Sequence, residues 1–500
     1  MTPLGCVRRV RARAATARAA RGLAECSGIC AVALLTACAR DSGTGPGPNR
    51  ASVANVAAVP NALNALSLVV TFDATAIDSA RVVCERADGV VTATPFVPVT
   101  SGPVRVPVVG LDAETAYRAK VEAFSAGKQV STGAVEAVTG ALPASLRAFR
   151  LTGVGGPSAG YTLVVPIAAP TDTVAYVIAF DSAGAIAWYR AFPNEGWTIE
   201  AKQQPNGHIT VYLGRSYGWQ PVAGRFVEVA PDGEIVRTFT VRSVPYTDPH
   251  ELRFTMRGSA VAEVHLLGYR LERTDLSALG GPADTLLAVH VLERQTVGGQ
   301  PVFMWDAGAS YSTADWPRTI GFPSDLVHPS AFAIDRGGDY VVSLQAVNEV
   351  VKVDGRTGQV RWRFGGVRND FRVLDDPLGG FRGQHSVQVL ENGHLLLFDN
   401  RRGASPQLAR AVEYAIDEQR MEARLVWEFR PSPAVESPIM GSVQRLANGN
   451  TTVGFAIPGR AMEVDASGRV VWDASLTRGG APVQFYRAIR IASLYSYSAP

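Results

Sequence analysis

The feature that most limits how this chain can fold is a hairpin that keeps returning. QQPNGHITVYL (203–213), VLENGHLLLFD (389–399) and RLANGNTTVGF (445–455) each set an Asn-Gly pair between two strand-like runs. Asn-Gly is the strongest short-range hairpin signal, because the favoured two-residue turn needs positive φ at both central residues. A second motif follows it: Asp, a Gly three or four residues on, and a Trp four beyond that. It occurs at Asp181-Gly184-Trp188, Asp354-Gly358-Trp362 and Asp465-Gly468-Trp472. Looser relatives end at Trp305 and Trp427, and VAPDGEIVR (229–237) keeps the hairpin without the Trp. Six hairpin-rich units of roughly 35–60 residues predict an all-β chain with a six-bladed β-propeller over residues 145–500. A solenoid or a double sandwich is the competing arrangement. Strands such as AVAEVHLLGYRL and LLAVHVLERQ suit sheets packed on both faces. PVQFYRAIRIASLY (482–495) has no hairpin partner of its own and is placed as the strand that closes the ring.

Upstream, residues 51–140 read as a separate small β unit, with strands at Leu66–Ala74, Ala80–Ala87 and Val104–Gly110. Tyr117 follows the Gly110-Leu111 turn and leads an alternating strand, which resembles the tyrosine corner of fibronectin type III sandwiches. This unit contains no His, which favours a spacer or docking role.

Residues 1–37 read as an export leader, with six Arg and then a short apolar run from Ile29 to Ala37. Leu35-Thr36-Ala37-Cys38 resembles a bacterial lipobox, which implies lipidation of Cys38 and a flexible tether over 38–50. Ala39 rather than Asp after the Cys favours an outer-membrane lipoprotein facing the periplasm; a plain secretory leader is the alternative. The leader carries six Arg and one Glu, so its loss takes the net charge from +3 to −2. The basic precursor is therefore no argument for a nucleic-acid partner. Beyond Cys38 only Cys84 remains, which excludes an intramolecular disulfide and a cysteine-ligated zinc.

The seven histidines sort by position. His208 and His394 follow Asn-Gly and read as solvated turn residues, whereas His265 and His290 lie mid-strand and read as packing residues. His250, His328 and His385 each open the first strand of a unit, eight, nine and eight residues before a turn glycine; Gly441 takes that place in the last unit. In a propeller the first strand lines the central channel, so these three are expected to converge. Converging imidazoles permit nucleophilic and proton-transfer chemistry, or metal binding. Phosphate-loop, dinucleotide and HExxH motifs are absent.

The HPS of 328–330, DYVVSLQAVNEVVKVDGRTGQVRWRFGG, QHSVQVLENGHLLLFDN, ARAVEYAIDE and GSVQRLANGNT together resemble the bacterial arylsulfate sulfotransferase family. That resemblance implies a periplasmic six-bladed propeller with a smaller N-terminal β domain. It implies transfer of a sulfuryl group from a phenolic sulfate to a phenol through a sulfated histidine, without a nucleotide donor or other cofactor. It places the nucleophile at His385, supporting histidines at His328 and His250, and substrate contacts at Gln345 and Ser330; a homodimer is a family habit. Two positions depart from the family pattern: Gln345 stands where Arg is usual, and Ser330 where Asn is common. The competing readings are a catalytically weakened binding or scaffold propeller on a lipid anchor, and a histidine-ligated metal propeller.

Overall fold

The computed structural model describes residues 50–169, 171–196, 198–214, 224–317 and 324–495, so the leader and Cys38 lie outside the described residues. Apart from three short 3-10 turns, all regular structure there is strand. Residues 149–491 build six sheets around a common pattern of four antiparallel strands. Sheet two is typical: Ala201–Gln203, Ile209–Leu213, Arg225–Val229 and Ile235–Phe239, in that spatial order. Sheet three runs Tyr246–Arg257, Ala260–Thr274, Thr285–Thr296 and Pro301–Asp306. Sheets four, five and six begin at Pro329–Ile334, His385–Val389 and Ser442–Arg445.

Sheet one is discontinuous in sequence. Phe485–Ile491 pairs antiparallel with Tyr161–Pro166, followed outward by Val174–Phe180 and Ile186–Pro193. The run without a hairpin partner thus finds its partner at the opposite end of the sequence. Phe149–Gly155, in turn, pairs with Val470–Arg478 on the outer edge of sheet six.

Second strands such as Ile209–Leu213, Tyr340–Leu344, Leu395–Asp399 and Thr451–Phe455 are buried at every residue. They have neighbours on both faces, which is why they read as apolar runs rather than alternating ones. Trp188, Trp305, Trp362 and Trp472 sit on fourth strands and are buried, with Trp188 donating its indole N–H to the Pro231 carbonyl of the next sheet at 2.8 Å. The Asp of each motif caps its turn: the Asp181 carboxylate accepts the N–H groups of Ala183 and Ala185, and Asp465 accepts those of Ser467 and Arg469. The Asn-Gly turns differ from expectation. Gly207, Gly393 and Gly449 take positive φ, but their asparagines do not. Instead each Asn side chain accepts the N–H two residues on, at 3.0–3.2 Å, an Asx turn that leaves only glycine left-handed.

The first strands are joined side by side through side chains. Gln204 bonds to the backbone of Leu252 and Phe254, Arg253 to the Phe332 carbonyl, and Ser330 to the Gln384 carbonyl. Ser386 bonds to Val443, Ser442 to Ala488, and Gln203 to the Ser493 carbonyl, which returns the series to its start. These are buried backbone groups that no strand ladder serves, so each bond removes a desolvation cost of about 1–3 kcal/mol.

Residues 52–138 form two further sheets, Ser52–Pro60, Ser67–Thr75 and Gly102–Val109 in one, with Ser79–Arg86, Ala116–Ser125 and Lys128–Val138 in the other. Their inward residues, among them Val70, Phe72, Val82, Cys84 and Val121, share one core. Tyr117 is buried and its hydroxyl accepts the Asp112 N–H at 2.8 Å, five residues back. This part is fastened to the rest: Asn61 donates to the Asp232 carbonyl, Arg105 pairs with the Asp232 carboxylate, and the Tyr495 hydroxyl accepts the Val109 N–H.

Deleting residues 484–500 strips sheet one of its first strand and removes the buried Phe485, Tyr486, Ala488 and Ile491 together with Leu494. At about 1.5–3 kcal/mol per large apolar side chain, the loss rivals the total stability of an ordinary domain. The truncated chain is expected to show no cooperative thermal transition by circular dichroism where the intact chain shows one.

Candidate active site

Where the first strands begin, the ladder is irregular. Register shifts fall between Thr247 and Leu252, between Pro329 and Ala331, and between His385 and Gln388. Bulges re-aim side chains, and these irregularities lie at or beside His250, His328 and His385. Left-handed backbone at non-glycine residues gathers here too: His328, Asn348, Ser386, Arg401 and Met440 have φ of 48°, 55°, 56°, 54° and 59°. Each costs about 1–2 kcal/mol, held in place by the surrounding packing.

His385 is buried, and its Nδ1–H faces the Asn400 side-chain oxygen at 2.8 Å and the Gly383 carbonyl at 3.0 Å. Asn400 cannot turn its amide around, because its Nδ2 donates to the carbonyls of Ser437 at 2.6 Å and Met440 at 2.8 Å. Two acceptors on Nδ1 fix the hydrogen there and leave Nε2 with its lone pair. The Met440 N–H approaches Nε2 at 3.3 Å. Burial first, and the neighbouring His328 and His250 next, push the His385 imidazole from 6.5 down to about 3. At neutral pH it is an uncharged base whose unprotonated Nε2 accepts the Met440 N–H.

Asn400 is itself placed by a buried ion cluster. Asp399 accepts the backbone N–H groups of Arg382 and Arg401 and pairs with the fully buried Arg410, which also holds Asp376 at 2.9 Å and Glu428 at 2.7 Å.

His250 and His328 lie ring to ring, centroids 4.8 Å apart and planes at 72°. Each has a carboxylate on Nδ1: Asp248 at 2.8 Å for His250, Asp325 at 2.9 Å for His328. Burial raises the Asp248 carboxyl, but His250 and His290 outweigh it and hold it well below the usual range; Asp325 is lowered in the same way by His328 and His290. His290, expected to be a packing residue, joins this group, its Nε2 3.3 Å from Asp248 and 3.8 Å from Asp325.

Below the rings lies a buried charged floor. Arg487 donates to Glu200 at 2.8 Å, Glu251 at 2.9 Å, and the carbonyls of Ser330 at 3.0 Å and His250 at 3.2 Å. Lys202 pairs with Glu251, and burial, then the charges of Arg253 and its neighbours, lowers its ammonium well below the ordinary value. The Tyr486 ring lies 5.8 Å from His250.

The other predicted positions are mixed. Gln345 is buried beside His328, its N–H donating to the His328 carbonyl at 2.9 Å. The Ser330 hydroxyl is engaged by Ser343 at 3.0 Å and the Gln384 carbonyl at 2.9 Å. His265 packs between sheets, bonded to Tyr340 at 2.9 Å. His208 and His394 are not simply solvated: Glu228 at 2.6 Å and Glu413 at 2.7 Å hold their Nδ1 atoms, which explains why a third-strand glutamate accompanies each turn. No group of three or more His, Cys, Asp or Glu among the described residues has metal-binding geometry. The sequence reading missed Asp248, Asp325, His290, Asn400 and Arg487; the Asp-x-His and Asp-x-x-His spacings at 248–250 and 325–328 were the available signal.

In this all-β chain His250, His328 and His385 are buried, and each is oriented by a carboxylate or an amide. Residues 240–477 match the family model described as Arylsulfotransferase (ASST). The chain is 23% identical over 379 residues to the arylsulfate sulfotransferase AssT of Escherichia coli, covering 60% of this chain and 59% of that relative. Among solved structures, a protein of unknown function from Bacteroides caccae overlaps 67% of this chain and all of its own at 13% identity and TM-score 0.41. A virginiamycin B lyase from Staphylococcus aureus overlaps 69% of this chain and all of its own at 9% and 0.35. Overlaps at that level carry no inference about fold or chemistry.

The lowered imidazoles make a stability prediction. His385 and His265 both sit at about 3 in the folded chain against 6.5 when free, each lowered chiefly by burial. The unfolded chain therefore binds protons first as pH falls below about 6.5, and stability declines from there toward about 3. His265→Gln removes one of the two groups. The stability gap between wild type and this variant should narrow by up to about 1.4 kcal/mol per pH unit between pH 6.5 and 4.5. Urea melts across that range measure it.

Proposed function

We propose that the six sheets stand as the blades of a β-propeller, that residues 52–138 form a fibronectin III-like sandwich, and that the chain transfers a sulfuryl group from a phenolic sulfate to a phenol through His385. The observation that carries this reading is the Asn400–His385 bond: it holds Nδ1–H while Nε2 stays unprotonated near His250 and His328. The match of residues 240–477 to the arylsulfotransferase family model supports the reaction class.

In the first half-reaction the His385 Nε2 lone pair attacks sulfur and the sulfur–oxygen bond to the aryl group breaks. The leaving phenolate takes a proton from His250 or His328, each poised by its aspartate. In the second half, the same imidazole takes the proton from the incoming phenol, whose oxygen attacks sulfur as the nitrogen–sulfur bond breaks. No net redox change or nucleotide is required, and the kinetics are ping-pong. The sulfuryl oxygens need donors, which the Met440 N–H and the imidazolium supply. Gln345, set against His328, contributes an amide where the family pattern has a guanidinium. The lipobox-like Leu35–Cys38 favours a lipid-anchored protein on the periplasmic face of the outer membrane.

The second reading, a binding propeller with weakened catalysis, is favoured by one observation. Ser330 is already engaged by Ser343 and Gln384, and neither it nor Gln345 brings a charge to the sulfuryl group.

Residues 41–500 with 4-nitrophenyl sulfate and phenol should release 4-nitrophenol only when the acceptor is supplied beyond a first stoichiometric turnover. His385→Ala should lose about 10³-fold or more, and mass spectrometry should find a sulfuryl group on the His385 peptide of the wild type alone. Asn400→Leu should cost about 10–100-fold through loss of ring orientation. If the wild type is silent across several aryl sulfates and a Gln345→Arg variant gains turnover, the site is a weakened one; silence from both proteins overturns the transferase reading.

A further inference from the structure

The charged groups around His250 and His328 are joined, and what joins them is His290. Asp248 spends one carboxylate oxygen on the His250 backbone N–H at 2.9 Å and ring Nδ1 at 2.8 Å, and turns its other oxygen to His290 Nε2 at 3.3 Å. Asp325 spends one oxygen on His328 Nδ1 at 2.9 Å and turns its other toward the same Nε2 at 3.8 Å. Read around the cluster, the order is His250, Asp248, His290, Asp325, His328, and the edge-to-face contact of the outer rings closes it. Bases and acids alternate around it.

Backbone geometry makes this arrangement specific. A parallel bridge joins Ala288 to Asp325, with the Ala288 N–H on the Ser324 carbonyl and the Leu326 N–H on the Ala288 carbonyl. That bridge pins the Asp325 segment against the strand carrying His290. His290 is 2% exposed, and its Nδ1 has no hydrogen-bond partner among the described residues. A buried imidazole with one idle nitrogen is a poor packing residue, since the orphaned atom loses its water for no return. The groups facing it are Asp248, Asp325, His328 at 6.5 Å between ring centroids and, from the neighbouring strand, Tyr269 at 5.6 Å. On the far side of His250 stand Tyr486 and Arg487.

We propose that His290 is a positioning residue that couples His250 to His328, so that the two share one transferable proton. The proposal rests on the sulfuryl-transfer reading and deepens it. The single Nε2 edge of His290 lies between the two carboxylates, 3.3 Å from Asp248 and 3.8 Å from Asp325, and so serves one of them at a time. A proton gained by one outer ring then weakens the hold of the network on a proton at the other. The pair acts as one acid in the first half-reaction and as one base in the second.

Coupling is tested where leaving-group chemistry separates it from general damage. 4-Nitrophenolate departs without protonation, whereas unsubstituted phenolate needs the acid. His290→Leu should lower turnover of phenyl sulfate by about 10²-fold or more, the range of a lost general acid. The first-turnover burst with 4-nitrophenyl sulfate should fall less than about tenfold. His290→Gln, which keeps a donor near the Nε2 position, should recover most of the phenyl sulfate rate. Equal losses on both donors, or no loss, overturn the proposal. A second readout does not need turnover: the ¹⁵N signals of His250 and His328 should titrate as an interacting pair in the wild type and independently in His290→Leu. Identical titrations in the two proteins overturn the coupling even if the transferase reading fails, and coupled titration in an inactive protein upholds it while that reading falls.

Discussion

One guanidinium holds the centre of this protein together. Arg487 comes from the last strand, yet its donors end on Glu200 before sheet two, on Glu251 and the His250 carbonyl in sheet three, and on the Ser330 carbonyl in sheet four. A buried cation is tolerable only when its partners are placed in advance, and removing one side of such a pair costs about 3–5 kcal/mol. The first strands of four sheets must therefore be in register before Arg487 can be buried at all. The histidines sit directly on this floor, so their spacing depends on it. The ring pair of His250 and His328 rests on a strand whose carbonyl Arg487 holds.

The same logic explains why the site is strained. Regular first strands would alternate their side chains in and out with the pleat. The register shifts at His250, His328 and His385, and the left-handed residues beside them, break that alternation where the three rings must meet. Packing from the buried second strands supplies the stability against which this strain is set. The Arg410 cluster does for Asn400 what Arg487 does for the floor, converting buried charge into a fixed position for a neutral side chain.

Much of the fold was legible in the sequence because hairpins are local. The Asn-Gly and Asp-Gly-Trp motifs mark turns whose bonds close within a few residues, and their recurrence predicted the sheets well. The turn geometry was misread, since the Asn side chain offered its own Asx bond and spared the second positive φ. The edge pairing of Phe149–Gly155 with a strand over 300 residues away leaves no local trace in the sequence. In the site, the register of His250, His328 and His385 carried the signal. His290 did not: a histidine inside an apolar strand looks like packing until the segment holding Asp325 is laid against it. Asn400 was likewise invisible, because an Asn at a strand end is ordinarily a turn residue.

The pairing of Phe485–Ile491 with Tyr161–Pro166 has a kinetic consequence. Sheets two to five can each zip from neighbouring hairpins, with small loop-closure costs. Sheet one instead waits on a partner more than 300 residues downstream, and such non-local contacts are paid for before they reward. Until that strand arrives, the Tyr161–Pro166 edge has no strand beside it, and Glu200 and Glu251 lack the guanidinium that joins them across sheets. The charged floor, and with it the histidine cluster, is assembled in the final step of folding, so the site comes into being only in chains that have finished.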